Sequence, residues 1–227
     1  MRNFPEYLIS FWAAHLVGAV PALVNAWLPP DGLAYCITNT DPKVVIVDAE
    51  RADSISGRTL DKIKQDTASL RKVLVVRPHD GKQGGKSRTG WRWTGMASFD
   101  DVLKKYSGPD DAWGEAENPQ PDDDATIFFT SGTTGLPKGV LSSQRSFLSN
   151  LLNASMARLR TTLMDGQSIE VAPADTDEQR AVLLSAPLFH VTGLTGFAVL
   201  ATALGSKIVL MRKWVKEEGM TSRNVTL

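Results

Sequence analysis

The chain has 227 residues, of which 42% are hydrophobic and 22% charged. That length suits one large domain or one and a half small ones, and the apolar content supports a packed core rather than wholesale disorder. Twenty-five Lys plus Arg balance 25 Asp plus Glu, which argues against a dedicated nucleic-acid binder, and the lone Cys36 excludes an internal disulfide framework and a Cys-based zinc site.

The most apolar stretch is residues 7–24, YLISFWAAHLVGAVPALV. Phe4, Leu8, Phe11, Trp12 and His15 recur at helical spacing, and Pro5 suits a first helical turn, so a buried core helix is expected. An export signal competes with it, because Arg2 precedes the run and Val24-Asn25-Ala26 resembles a small-residue cleavage site. Against it, Glu6 sits where a positive region is expected, and His15 and Pro21 interrupt the run, which is marginal in length for a membrane span. Residues 17–24 read as a turn into a short strand.

Pro29-Pro30-Asp31 predicts a helix start, with the helix running to about Asn39. Residues 43–49 (KVVIVDA) read as a buried strand, 54–69 as a polar helix and 72–77 (KVLVVR) as a second buried strand. Continuous apolar strands joined by a helix imply a parallel sheet covered by helices. Residues 78–95 break this pattern with Gly, Lys, Arg, Trp91 and Trp93, and residues 107–124 break it again with acidic groups. Both read as solvated surface segments, although two tryptophans in a basic loop could stack on bases. The stretch 81–87 (GKQGGKS) approaches a P-loop, but Asp80 occupies the first-glycine position and no helical pattern follows. Between the two segments, residues 98–106 predict a short helix with Ser98 as N-cap and Asp100 and Asp101 in its first turn.

Residues 125–130 (ATIFFT) read as a strand, 131–139 as a loop, and Val140 as the start of another strand. A helix over 146–163, a polar loop to Glu178, a strand over 181–186, a turn over 187–191, a small-residue helix over 192–204 and a strand over 206–211 follow. The last fifteen or so residues are polar and unpatterned, and there is no internal repeat.

The chemistry concentrates in residues 130–139, TSGTTGLPKG. Thr130, Ser131, Thr133 and Thr134 supply hydroxyl donors, Gly132, Gly135 and Gly139 allow successive N–H groups to point at one anion, and Lys138 adds a full positive charge. A polyphosphate needs such short, convergent, partly charged donors. The hydroxyls come before the lysine, so this is not the G-x-x-x-x-G-K-[ST] loop. The three histidines, His15, His79 and His190, have no metal-ligand spacing.

FFTSGTTGLPKGV resembles the phosphate-loop signature of the adenylate-forming superfamily, which holds acyl-CoA synthetases, 4-coumarate–CoA ligases, luciferases and nonribosomal-peptide adenylation domains. MRNFPEYLISFWAAHLVGAVPALVNAWLPPDGLAYCI resembles the early helix–strand–helix segment of acyl-CoA synthetases, with its N-x-PE start. LLSAPLFHVTGLTGFAVLATALGSKIVLMRKW resembles their next core motif, with its PLFH. The likeness runs in order from residue 1 to about 214. It implies an α/β fold of mostly parallel sheets covered by helices, an incomplete N-terminal part of the adenylate-forming fold. Residues 1–214 would be a partial adenylation domain and 215–227 a polar tail.

By that resemblance Thr130, Ser131, Gly132, Thr133, Thr134, Gly135 and Lys138 hold the β- and γ-phosphates of ATP and orient pyrophosphate as leaving group. Thr133 or Thr134 helps hold Mg²⁺. His190 matches the position beside the acyl carboxylate and thiol tunnel, a core histidine being the alternative, and the helix start at Thr192 and Gly193 could favour a carboxylate. Lys138 and His190 are thus the expected catalytic pair. Where many relatives have a Thr-His pair after the loop, this chain reads Ser142-Ser143-Gln144. Gln144 can hydrogen-bond but cannot titrate. His15, His79 and Cys36 have no place in the chemistry and read as structural.

The implied reaction activates a carboxylic acid with ATP to an acyl-adenylate and then passes the acyl group to coenzyme A. The Tyr-Gly-x-Thr-Glu and Thr-Gly-Asp segments and the small lysine-bearing C-terminal domain of relatives are not in this sequence. The chain reads as an internal piece of an acyl-CoA synthetase, expected to be inactive alone. A non-catalytic nucleotide-binding or interaction piece, associating through exposed sheet edges, is the alternative. No nucleic-acid partner and no stable membrane span are expected. The location implied is cytoplasmic, with a peroxisomal one open to the family and no C-terminal targeting signal in this chain.

Overall fold

In the computed structural model the described residues are 1–78, 91–109, 118–131, 135–168 and 179–211, with the backbone of 82–83, 86–87 and 225–226. The chain divides into two units. One holds Met1–Arg2, Ala22–Ala116 and Phe129–Val140; the other holds Asn3–Pro21, Glu117–Phe128 and Leu141–Leu227.

The first unit is built on a parallel sheet. Strands β2 (Val44–Asp48) and β3 (Lys72–Val76) pair in parallel with Val45 opposite Val73. Strand β6 (Ala97–Ser98) adds in parallel on the other side of β3, after the short β1 (Ala22–Leu23) and an antiparallel pair, β4 (Lys82–Gln83) and β5 (Lys86–Ser87). Side chains alternate across a strand, so β3 serves two cores. Val73 and Val75 face a cluster with Leu33, Ile37, Ile55, Leu60 and Ile63; Leu74 and Val76 pack with Phe99. Both faces are covered, as the apolar runs require.

The helices of this unit are α2 (Pro30–Thr40), α3 (Ala49–Ile55), α4 (Arg58–Asp66) and α5 (Phe99–Lys104), while α1 (Pro5–Leu16) belongs to the second unit. The single helix expected over 54–69 is two. α3 ends at Ile55, with Ser56 extended after it, and Gly57, at a φ of 66° that no continuing α-helix contains, is the N-cap of α4. Asp48 starts α3 by accepting the Arg51 N–H at 3.0 Å. Ser98 caps α5 as expected, accepting from the Asp101 N–H at 3.2 Å. Cys36 is fully buried, and burial pushes its thiol up to about 11, which suits a structural residue.

The basic segment corrects an expectation. Trp93 is 2% exposed and closes the larger core rather than offering a face to bases. Its indole Nε1 donates to Asp53 Oδ1 at 2.8 Å, and Arg92 bonds both oxygens of the same carboxylate at 3.0 and 2.6 Å. The Arg92 guanidinium lies over the Trp93 ring, 4.5 Å from its centre. Trp91 packs edge-on against Trp93 and donates to its carbonyl at 3.0 Å. His79, Gly81, Gly84 and Gly85 lie outside the described residues, but Lys82–Gln83 pairs antiparallel with Lys86–Ser87. A hairpin there leaves no place for the helix that a P-loop needs.

The second unit contains α1 (Pro5–Leu16), α6 (Gln144–Met164), a parallel pair β9 (Ala181–Leu184) and β10 (Lys207–Met211), and the helical segment between them. α1 buries Tyr7 and Phe11, so the apolar start of the chain is a core helix as expected. Among the described residues no helix is long and apolar enough to cross a membrane. The polar tail is not wholly unpatterned, since β11 (Val225–Thr226) pairs antiparallel with β10. The small-residue helix also differs from expectation. Thr192–Val199 is π-helical and only Leu200–Ala203, α7, is α-helical.

His15 belongs to the aromatic contact between α1 and α6. Its ring stacks on Phe147 at 6.0 Å and meets Phe11 edge-on at 4.6 Å. Its Nε2 is buried with no hydrogen-bond partner among the described residues, and burial lowers its pKa from 6.5. The neutral ring is therefore the folded form. Its contribution to stability is present above the unfolded value of 6.5 and is lost as pH falls toward the lower folded value. We expect a lower urea midpoint at about pH 5.5 than at about pH 7.5, and a smaller difference in His15→Phe.

Candidate functional site

Strands β7 (Asp124–Thr130) and β8 (Lys138–Ser143) are neighbours in a sheet of order β1–β7–β8. β7 carries the buried Ala125, Thr126 and Phe128, which anchor it. The loop between β7 and β8 is where the sequence concentrates its donors. Gly132, Thr133 and Thr134 lie outside the described residues. Thr130 and Ser131 enter the loop exposed, and Gly135, Leu136 and Lys138 leave it exposed, while Pro137 is buried. The Thr130 hydroxyl reaches the Lys138 carbonyl at 3.5 Å, closing the two ends of the loop.

Gly135 has φ 97°, and an added Cβ would meet nothing within 4 Å. The backbone conformation alone calls for glycine there. Lys138 was expected within the loop and Val140 as the first strand residue; β8 instead begins at Lys138. The ammonium is thus carried by a strand end, which holds its stem more firmly than a loop would. These positions give hydroxyls on one strand end and a cation on its neighbour.

After β8 in the chain, Ser143 caps α6 through the Ser146 N–H at 3.3 Å. Gln144 is committed to the backbone: its N–H donates to the Asp123 carbonyl at 2.8 Å and its side-chain amide to the Asp124 carbonyl at 3.3 Å. Gln144 therefore ties α6 to the start of β7.

His190 belongs to the second unit. It is exposed, so the core-histidine alternative does not hold. Its N–H donates to the Pro187 carbonyl at 3.0 Å and its carbonyl accepts from Leu194 at 3.0 Å. Its ring Nδ1 accepts the Thr192 N–H at 3.2 Å. The expected carboxylate at this helix start loses one donor to that contact, since the first free N–H is already taken by the histidine. A π-helix, rare in proteins and frequent at functional sites, follows at once.

Two residues around His190 have structural roles that the sequence did not reveal. A Cβ on Gly193 would lie 2.1 Å from the Pro187 carbonyl oxygen and 2.9 Å from that of Ala186. Its lack of a side chain lets the helix press against the turn. Asn3, 5% exposed, bonds to both sides of the same turn and to β10. The N-x-PE start was the signal for Asn3; Gly193 was placed at the helix start, but nothing local marks its close approach to the turn.

Among the described residues no three His, Cys, Asp or Glu side chains gather as a metal cluster. The donor set around the loop, hydroxyls with one ammonium, fits a phosphate chain, and it fits Mg²⁺ that arrives on phosphates and keeps waters.

The comparisons agree with this architecture. 4-Coumarate–CoA ligase 1 of Oryza sativa subsp. japonica is 28% identical over 216 residues, covering 94% of this chain and 33% of that protein. The crystal structure of the anthranilate–CoA ligase AuaEII with anthranoyl-AMP superposes with a TM-score of 0.61 at 20% identity, over 92% of this chain and 33% of that one. ATP-bound MatB from Rhodopseudomonas palustris gives 0.61 at 23% identity, over 94% and 34%. At these identities the structural likeness establishes the fold, that of adenylate-forming enzymes. The chain spans about a third of the length of the relatives it matches. The family model described as AMP-binding enzyme matches residues 1–226, so a chain whose donor-rich loop joins two neighbouring strands belongs to the AMP-binding enzyme family.

Proposed function

We propose that this chain supplies the phosphate-holding and acyl-facing parts of an acid–thiol ligase. In the first step a carboxylate oxygen bonds to the α-phosphorus of ATP, the bond to the β-phosphate bridge breaks, and pyrophosphate leaves. In the second, the sulfur of coenzyme A bonds to the acyl carbon, the bond to AMP breaks, and the thiol proton passes to solvent. Neither step needs a protein nucleophile, which agrees with a loop made only of donors. Thr130, Ser131, Gly132, Thr133, Thr134, Gly135 and Lys138 would bind the β- and γ-phosphates. Thr133 would share in holding Mg²⁺, which supplies charge neutralisation on the phosphates when bound. His190 would face the acyl group. Residues 1–214 would form part of the adenylation domain, in a cytoplasmic protein.

The observation that carries this reading is the 3.5 Å contact of the Thr130 hydroxyl with the Lys138 carbonyl, which brings residues 130 and 138 together at adjacent strand ends. Lys138 is exposed, so Lys138→Ala leaves the fold intact. We expect calorimetric titration with MgATP to show affinity reduced about tenfold or more, the worth of a charge-assisted bond. Equal affinity in wild type and variant would sink the reading.

A second reading, a nucleotide-binding or interaction piece without turnover, is favoured by exposed apolar side chains. Val140 and Leu141 lie exposed on β8, at the end of its sheet, and Leu152, Met156 and Met164 lie exposed on α6. Sedimentation of the same samples separates the two, because a stable monomer counts against association.

A further inference from the structure

We propose that Asn3 is a positioning residue for His190: it fixes the turn at residues 186–188 so that the histidine presents its Nε2–H as a hydrogen-bond donor. The inference rests on the reading of His190 as facing the acyl group.

The Asn3 side chain makes three hydrogen bonds, using both of its donors and its oxygen. Its Nδ2 donates to the Ala186 carbonyl at 2.9 Å and to the Met211 carbonyl at 3.2 Å, and its Oδ1 accepts the Leu188 N–H at 2.9 Å. Two of these contacts bracket Pro187, and the third joins the bracket to the end of β10. The Pro187 carbonyl in turn accepts the His190 N–H at 3.0 Å. Each rung is set by the one before it: Asn3 fixes residues 186 and 188, these fix the Pro187 carbonyl, and that carbonyl fixes the His190 backbone.

The ring is held from the other side. Thr192 N–H points at Nδ1 from 3.2 Å, so Nδ1 must carry a lone pair. A neutral imidazole with an accepting Nδ1 has its proton on Nε2. Residue 190 is exposed, so that proton faces outward. Such a ring donates to an acyl carboxylate or carbonyl oxygen and does not act as a base through Nε2. Only an amide side chain has the two donors and one acceptor that Asn3 uses. Aspartate would set a carboxylate against two carbonyl oxygens, and serine would be too short to span the bracket.

The test is the tautomer of His190, read by two-bond ¹⁵N–¹H correlation at about pH 8. His190→Gln identifies its signals among the three histidines. The unmodified chain is expected to show the Nε2–H form. In Asn3→Ala the ratio of Nε2–H to Nδ1–H is expected to fall about tenfold, the worth of one well-oriented hydrogen bond. Ile63→Val, a buried change in the other unit, controls for loss of stability alone and leaves the ratio unchanged. Should Asn3→Ala not fold, Asn3→Ser, which keeps one polar contact, is read the same way. An Nδ1–H form in the unmodified chain, or an unchanged ratio in a folded Asn3 variant, overturns the proposal. A parallel titration with an acyl-sulfamoyl adenosine is expected to weaken about tenfold in Asn3→Ala while MgATP affinity holds. If that analogue fails to bind the unmodified chain, the acyl assignment of His190 falls, and the tautomer measurement still decides the role of Asn3.

Discussion

Trp93→Ala should unfold the first unit more readily than any other single truncation considered, by about 3–5 kcal/mol. The indole is 2% exposed and closes a core that also includes Ile55, Leu60 and Ile63. Removing it leaves a cavity that the helices around it fill only in part. It also strips Asp53 of one donor and takes the ring from under Arg92. A loss of this size is a large share of the stability of an ordinary domain. Urea denaturation followed by far-UV circular dichroism measures it. Trp93→Phe separates the two contributions: it keeps most of the ring area and removes the Nε1 bond, so the loss should shrink to about 1–2 kcal/mol. A midpoint unchanged in Trp93→Ala would mean that the basic segment is not anchored as described.

Gly193→Ala carries the second large effect, and it acts on the site as well as on stability. The new Cβ would stand 2.1 Å from the Pro187 oxygen, a backbone atom that is itself bonded to His190. Neither partner is the free end of a side chain, so the helix or the turn must retreat by about 1 Å to reach van der Waals separation. Overpacking of this kind costs about 1–3 kcal/mol. On the proposed function the same displacement moves His190 relative to its substrate, where a shift of about 1 Å can cost about a hundredfold. Urea midpoints and titration with the acyl-sulfamoyl adenosine test the two parts separately. Gly196→Ala is the internal control, because a Cβ there would meet nothing within 4 Å. Equal behaviour of the two variants would remove the steric account.

Much of the fold was legible in the sequence. The runs KVVIVDA and KVLVVR became β2 and β3 because strands buried on both faces must be apolar throughout. The donor-rich loop was legible because few other purposes call for so many hydroxyls, glycines and a lysine together. What escaped depends on contacts distant in sequence. Trp93 looked like an exposed aromatic among charges, and only the position of Asp53, forty residues earlier, makes it a core residue. Asn3 and the turn it holds are separated by 183 and 185 residues, beyond any local pattern. The helix expected over 54–69 ran straight through Gly57, whose φ of 66° no continuing α-helix contains.

The π-helix after His190 has a consequence for residue counting. Its bonds run five residues apart, so Gly193 and Ala198, and likewise Leu194 and Val199, share an inward-facing side and all four are buried. In an α-helix residues five apart diverge around the axis. The segment packs more residues into each turn than an α-helix would, and gaining or losing a single one has a local outlet, a change of helix type. Spacing between the turn that carries His190 and the strand that ends at Met211 can thus stay constant while the number of intervening residues drifts.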